Sequence, residues 1–221
     1  MSRGYYSDNL SAERLRRCYE LAPPRVERYL EAEIAHVLGR LRPGELVLEL
    51  GCGYGRVLGR LASRAGRAVG IDTSLESLRL ARGENIGLAC MDAAALGFLP
   101  GTFDVVVCVQ NGISAFARDR RGLVEEALRV TRPGGKALFS SYDPELWPHR
   151  LEWFRLQAAA GLLGEIDEER TGDGVIVCRD GFRAETVGEI QFRELAKGLG
   201  AEVRLTVVDS SSLFCELTRA E

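Results

Sequence analysis

The segment Val47-Leu48-Glu49-Leu50-Gly51-Cys52-Gly53-Tyr54-Gly55-Arg56 constrains this chain more than any other. Apolar, β-favouring positions carry a buried strand up to an acid, and three alternating glycines then let the backbone turn sharply and approach a ligand closely. Charge at the strand end selects that ligand. A phosphate cradle offers N–H groups to an anion, whereas the Glu49 carboxylate repels pyrophosphate and welcomes a cation.

Composition narrows the remaining choices. With 221 residues and 46% apolar content, the chain can bury one substantial core, so one domain over residues 1–221 is expected. No run of about 18 apolar residues occurs. The opening Met1-Ser2-Arg3-Gly4-Tyr5-Tyr6 lacks the apolar core of a signal peptide. A soluble, cytoplasmic protein is the expectation. A net charge of −3 and a pI near 5.6 supply no field for a nucleic acid or an anionic membrane. Cys18, Cys52, Cys90, Cys108, Cys178 and Cys215 form no CxxC pair and read as buried thiols without disulfides. His36 and His149 are the only histidines, and neither has a partner at metal-ligand spacing, so no metal site is expected.

Two amphipathic helices, over 10–21 and 25–41, open the chain and form an N-terminal helical segment over 1–42. Strands and helices then alternate: strand 46–50, helix 55–65, strand 67–71, helix 74–82, strands 86–91 and 103–109, helix 118–130 and strand 135–141. That order predicts an α/β, Rossmann-like parallel sheet covered on both faces. Ligands on such sheets bind beyond the carboxyl ends of the strands, where strand order reverses. Glu49 to Gly55, Asp72, Asp92 and Gln110-Asn111 all follow strands, so they belong on one rim. Beyond this half, 43–141, the rhythm changes. A helix over 143–163 precedes a hairpin, 174–185, turning at Asp180-Gly181. A helix over 189–199 and two antiparallel strands, 201–208 and 213–218, close a second half spanning 142–221.

With these residues in order, the chain resembles the class I S-adenosylmethionine-dependent methyltransferases. Val47 to Arg56 looks like the family's first motif and Val69-Gly70-Ile71-Asp72-Thr73-Ser74 like its second. Cys90-Met91-Asp92-Ala93 looks like the third, Phe103-Asp104-Val105 to Asn111 like the fourth, and Leu128 to Gly135 like the segment before the fifth strand. The resemblance implies a seven-stranded, mostly parallel sheet with an antiparallel last strand. It also implies S-adenosylmethionine as cofactor, S-adenosylhomocysteine as product, and a small-molecule acceptor.

By that resemblance Glu49 faces the cationic methionine end while Gly51, Cys52, Gly53 and Gly55 let the main chain pass beside it. Asp72, with Thr73 next to it, accepts the ribose hydroxyls in a charge-assisted fork. Asp92 accepts from the adenine amine, the Ala93 N–H donates to a ring nitrogen, and Leu75 covers one adenine face. Two other readings stay open. Asp72 stands about 20 positions after the first glycine, as the ribose acid of an NAD(P)-dependent oxidoreductase does; yet the pattern is GxGxG followed by Arg56, with no glycine at Val57 or Leu58. The chain could also be a silent cofactor-binding subunit that acts through a partner.

Methyl transfer to a good nucleophile draws its acceleration mainly from alignment and desolvation, so catalytic residues are less legible than the donor pocket. Gln110 and Asn111 stand where a side-chain carbonyl can orient an acceptor. Tyr142, Asp143, Glu145, Trp147 and His149 follow the fifth strand as candidate acceptor-pocket residues, and His149 has the pKa range suited to proton removal. Tyr5, Tyr6 and Tyr19 are candidates to fold over the cofactor. No proline pair follows the fourth strand, unlike in DNA amino-methyltransferases.

Overall fold

The computed structural model describes Tyr5, residues 9–115 and residues 119–221. Tyr6 and the expected helix start at 118 lie outside the described residues. Helices α1 (Ala12–Glu20) and α2 (Pro24–Leu38) lead into β1 (Leu46–Leu50), α3 (Leu58–Ala65), β2 (Arg67–Asp72), α4 (Leu75–Leu80), β3 (Ile86–Cys90) and β4 (Phe103–Cys108). A short turn of helix, α5 (Gly112–Ala115), precedes α6 (Arg120–Val130) and β5 (Thr131–Tyr142). The second half holds α7 (Trp147–Ala159), the hairpin β6 (Ile176–Val177) and β7 (Arg183–Ala184), α8 (Glu189–Ala196), β8 (Ala201–Val208) and β9 (Ser212–Arg219).

Seven strands form one sheet in the order β3-β2-β1-β4-β5-β9-β8. Val47 lies opposite Ala68 of β2 and Val105 of β4, both in parallel register. β9 runs antiparallel to both β5 and β8, so it alone opposes the other strands. The order reverses between β1 and β4, and this places the loops after those strands at the switch point of the sheet.

Period-two alternation explains why both faces are buried. Leu48, Leu50, Val106 and Cys108 pack with Leu123, Val124 and Phe192 from α6 and α8. Their neighbours Val47, Val105 and Val107 face the other way, onto Ile34, Leu58 and Leu61 from α2 and α3. A third apolar cluster stands off the sheet, where Tyr29, Tyr142, Trp153, Phe154 and Phe182 join the N-terminal helices to α7 and the hairpin. All six cysteines are free thiols, with Cys90 exposed and the rest buried. Among the described residues no helix is long and apolar enough to cross a membrane.

Several boundaries differ from the periodicity. α3 begins at Leu58, not 55, because Gly53 and Gly55 hold φ of 53° and 82°, outside the helical region. The helix expected over 143–163 is broken at its start. Asp143 Oδ1 accepts the Glu145 N–H at 2.9 Å and caps a 3₁₀ turn over Pro144–Leu146 before α7 begins. The hairpin pairs over only two residues per strand, since the Asp180 carboxylate draws the Phe182 N–H (3.1 Å) and Gly164 N–H (2.8 Å) into its turn.

Candidate functional site

A cavity of about 700 Å³ opens over the carboxyl ends of β1, β2, β3 and β4. Gly51, Gly53 and Gly55 all have positive φ, at 72°, 53° and 82°, so the loop takes this path because no side chain resists it. Cys52 contributes main chain, while its side chain packs in the core beneath Gly70. A Cβ on Gly53 would meet Leu15 Cδ2 at 3.0 Å, so the packing of α1 over the loop also requires glycine.

Asp72 ties this loop to the next. Its Oδ2 accepts the Gly53 N–H at 2.9 Å and its Oδ1 the Ser74 N–H at 2.7 Å. Burial raises its pKa, against the pull of those N–H groups. Each oxygen keeps acceptor capacity beyond these bonds. Asp92 Oδ1 accepts the Ala94 N–H at 2.9 Å, so it shapes its own turn as well as facing the cavity.

Glu49 differs from both aspartates. It is 5% exposed, and Oε2 has no hydrogen-bond partner among the described residues. Burial pushes its carboxyl up to about 8, with Arg56 opposing and Asp72 adding to the rise. Arg56 carries the matching deficit: Nε and one terminal nitrogen are buried without partners, and its guanidinium lies 4.4 Å from the Tyr19 ring centroid. A buried carboxyl and a buried guanidinium therefore face one cavity, each with polar atoms left without a hydrogen bond. Buried polar groups left in this state are costly, and a ligand bearing both charges would satisfy them.

After β4, Gln110 and Asn111 both adopt left-handed backbone, at φ 57° and 58°. That strain needs external support. Glu33, fully buried on α2, accepts the Gln110 N–H at 2.6 Å, and the Ser212 hydroxyl donates to its other oxygen. Burial pushes Glu33 up to about 7. Asn111 is committed to the protein: Nδ2 donates to Ser114 Oγ (2.8 Å) and the Glu185 carbonyl (3.0 Å), while Oδ1 accepts from Ser141 Oγ (2.7 Å). Gln110 keeps Nε2 buried and unpartnered at the cavity wall.

Most residues expected at the rim line the cavity: Glu49, Gly51, Cys52, Gly53, Asp72, Thr73, Asp92, Ala93, Gln110 and Asn111. Six expected residues do not line it: Gly55, Leu75, Asp143, Glu145, Trp147 and His149. Gly55 packs against Ala81, where a Cβ would come to 3.0 Å. Leu75, at the start of α4, is 50% exposed. His149 sits on α7 with its side chain 46% exposed and Glu152 4.0 Å away. Position along the helix explains this: α7 turns Trp153, Phe154 and Gln157 to the cavity, and His149 stands one turn before Trp153, in the first turn of the helix and short of the cavity. Of the group after β5, Tyr142 lines the cavity and Asp143, Glu145 and Trp147 do not. Tyr5 and Tyr19 both line it.

The sequence reading missed Arg56, Glu33 and Arg150. Glu33 shares one helical stripe with Tyr29, Leu30 and Val37, all buried, and an acid on an apolar stripe is a readable signal. Arg150, 1% exposed, donates to the carbonyls of Gly174 (2.9 Å) and Ala184 (3.1 Å) and to Thr186 Oγ1 (2.9 Å). Its guanidinium lies 4.1 Å from the Tyr142 centroid, so it braces the hairpin over the cavity.

A family model described as a methyltransferase domain matches residues 47–135. The demethylmenaquinone methyltransferase of Corynebacterium urealyticum is 35% identical over 108 residues, covering 49% of this chain and 46% of that protein. The ubiquinone biosynthesis O-methyltransferase of Idiomarina loihiensis is 31% identical over 107 residues, covering 45% of this chain and 43% of that protein. This chain therefore spans less than half the length of these two relatives. Magnesium protoporphyrin IX methyltransferase from Synechocystis PCC 6803, solved with bound S-adenosylhomocysteine, superposes with a TM-score of 0.66 at 19% identity, covering 98% of this chain and 97% of that one.

Proposed function

We propose that this chain, whose residues 47–135 match a methyltransferase domain, is a class I S-adenosylmethionine-dependent methyltransferase that moves a methyl group from S-adenosylmethionine to a small-molecule acceptor. One observation carries the reading most: Glu49 Oε2 and two nitrogens of the Arg56 guanidinium lack hydrogen bonds and belong to side chains that face the same cavity at the end of β1. Their charges match the ammonium and carboxylate of an amino-acid end. A dinucleotide offers phosphates instead, which Glu49 would repel.

When bound, the donor supplies an electrophilic methyl carbon on a sulfonium. In this reading Glu49 and Arg56 hold the amino-acid end, and Gly51, Cys52 and Gly53 let it lie against the main chain. Asp72 and Thr73 take the ribose, with Asp72 using the acceptor capacity left beyond its two main-chain bonds; Asp92 and Ala93 take the adenine. Gln110 directs its free amide donor at the acceptor, and Asn111, braced through its own amide, keeps that loop in place. His149 has no part in it. With the donor held there, an acceptor oriented by Gln110 would receive the methyl group in exchange for its proton, which would leave to solvent. The segment 43–141 serves the donor, while 1–42 and 142–221 close the acceptor side of one functional unit. Free thiols and the absence of a basic field favour a cytoplasmic, metabolite-directed role.

Isothermal titration decides the donor. S-adenosylhomocysteine should bind and raise the thermal midpoint, and Arg56→Met should weaken it. Protection by NAD with none by S-adenosylhomocysteine would refute the reading.

A further inference from the structure

The part of the cavity that the rim does not build is a continuous band of rings. Tyr54 and Tyr19 approach at 6.1 Å between centroids, Tyr19 and Trp153 at 5.9 Å, Trp153 and Phe154 at 5.7 Å, Phe154 and Phe182 at 5.6 Å, and Phe182 and Tyr5 at 5.1 Å. Tilted and edge-to-face contacts at these separations are the favoured geometry of aromatic clusters. All six line the cavity, and they come from three places in the chain besides Tyr54: the N-terminal segment, α7 and the hairpin turn.

Two polar ends of the band are turned into the protein. Trp153 Nε1 donates to the Cys18 carbonyl at 2.8 Å, and the Tyr5 hydroxyl donates to Asp180. Of the charged groups near it, Arg183 pairs with Glu185 at 2.6 Å, Asp119 accepts the Gly122 N–H at 2.7 Å, and Arg56, stacked on Tyr19, is the cation that the donor's carboxylate takes in the proposed reading. What this side offers a ligand is therefore ring faces and edges. A buried, unpartnered polar donor also lies at the cavity wall, Gln110 Nε2.

Resting on the methyltransferase reading, we propose that the acceptor is an uncharged aromatic molecule with an oxygen on its ring, its body seated against the Tyr19–Trp153–Phe154–Phe182 band and its oxygen accepting from Gln110 Nε2. With Arg56 taken by the donor, an acceptor with a carboxylate or phosphate would bury an anion against cations that are already paired, a severe cost. An aliphatic acceptor of equal size would gain the same apolar burial but lose the quadrupole contacts that aromatic pairs add.

The test is a set of calorimetric titrations on the full chain, with and without saturating S-adenosylhomocysteine. The probes are 2-naphthol, decahydro-2-naphthol, naphthalene and 2-naphthoate. We expect 2-naphthol to bind about tenfold more tightly than its saturated analogue, from more than one ring contact of the usual size, and more tightly than naphthalene or the carboxylate. Trp153→Leu should erase the preference over the saturated analogue, and Gln110→Leu the preference over naphthalene. Equal binding of the aromatic and saturated alcohols to the unaltered protein, or tighter binding of 2-naphthoate, would overturn the proposal while leaving the donor reading intact. Failure of S-adenosylhomocysteine to bind at all would overturn both.

Discussion

The rim of the sheet and the aromatic band opposite it share one cavity but are built on different principles. The rim is main chain first: left-handed glycines, and carboxylates such as Asp72 that hold one loop to the next. The band is side chain first. Its rings reach the cavity from segments far apart in the chain, held by contacts such as Arg150 with the hairpin carbonyls and Trp153 with Cys18. A short segment suffices to specify a loop after a strand, whereas a wall of rings requires several elements to dock first. In the proposed reading, donor binding is thus written locally and acceptor choice globally.

The sharpest way to separate the two regions is Arg150→Met. It removes charge-assisted bonds to Gly174, Ala184 and Thr186, and should cost about 3 kcal/mol in urea unfolding. Affinity for 2-naphthol should drop while S-adenosylhomocysteine still binds within about threefold, near the limit for sites that do not couple. A parallel fall in both affinities would mean that rim and band are one unit.

Asp72→Ala strikes the rim instead. Losing a charged acceptor should weaken S-adenosylhomocysteine binding by about 2 kcal/mol, near 30-fold, and lower stability because the Gly53 and Ser74 N–H groups lose their partner. Unchanged affinity in calorimetry would confine Asp72 to a structural role.

A smaller, pH-dependent effect follows from Glu49. Burial pushes its carboxyl up to about 8, so at lower pH it is mostly protonated, and a ligand's ammonium must draw that proton off. Affinity for S-adenosylhomocysteine should therefore rise with pH up to about 8, by no more than about tenfold per unit, and Glu49→Gln should flatten the profile. Stability of the free protein runs the other way. Glu49 and Glu33 both titrate above the ordinary carboxyl value, so their contribution is complete below that value and is lost as pH climbs through about 7 and 8. A free protein that becomes more stable over this range would contradict the burial of both groups.

His149→Ala is the smallest change. On an exposed helical face it should leave stability within about 0.5 kcal/mol and 2-naphthol affinity unchanged. A loss of turnover near 100-fold, the scale of general-base removal, would bring the first turn of α7 into the chemistry.

How far the sequence could be read follows the same division. The order of strands, the switch point and the rim residues from Glu49 to Asn111 were legible because each depends on a local pattern: an apolar run, a glycine, an acid just after a strand. Gly55, Leu75 and His149 lie outside the cavity because proximity in sequence to a rim residue does not say how far along the following loop or helix the cavity reaches. Arg56 escaped notice because an arginine after glycines is an ordinary surface residue until Tyr19 covers it. Glu33 required knowing that Ser212, some 180 positions away, returns to the same spot as the Gln110 loop.

The sequence by itself determined an α/β sheet with a glycine-lined, acid-bearing bend at its switch point, because strand period and left-handed glycine are properties of a few consecutive residues. Only the tertiary structure decided that Glu49 and Arg56 keep polar atoms without hydrogen bonds, that Asn111 is a brace, and that six distant rings meet in one band. Those facts depend on burial and on long-range docking, which no short stretch of chain encodes.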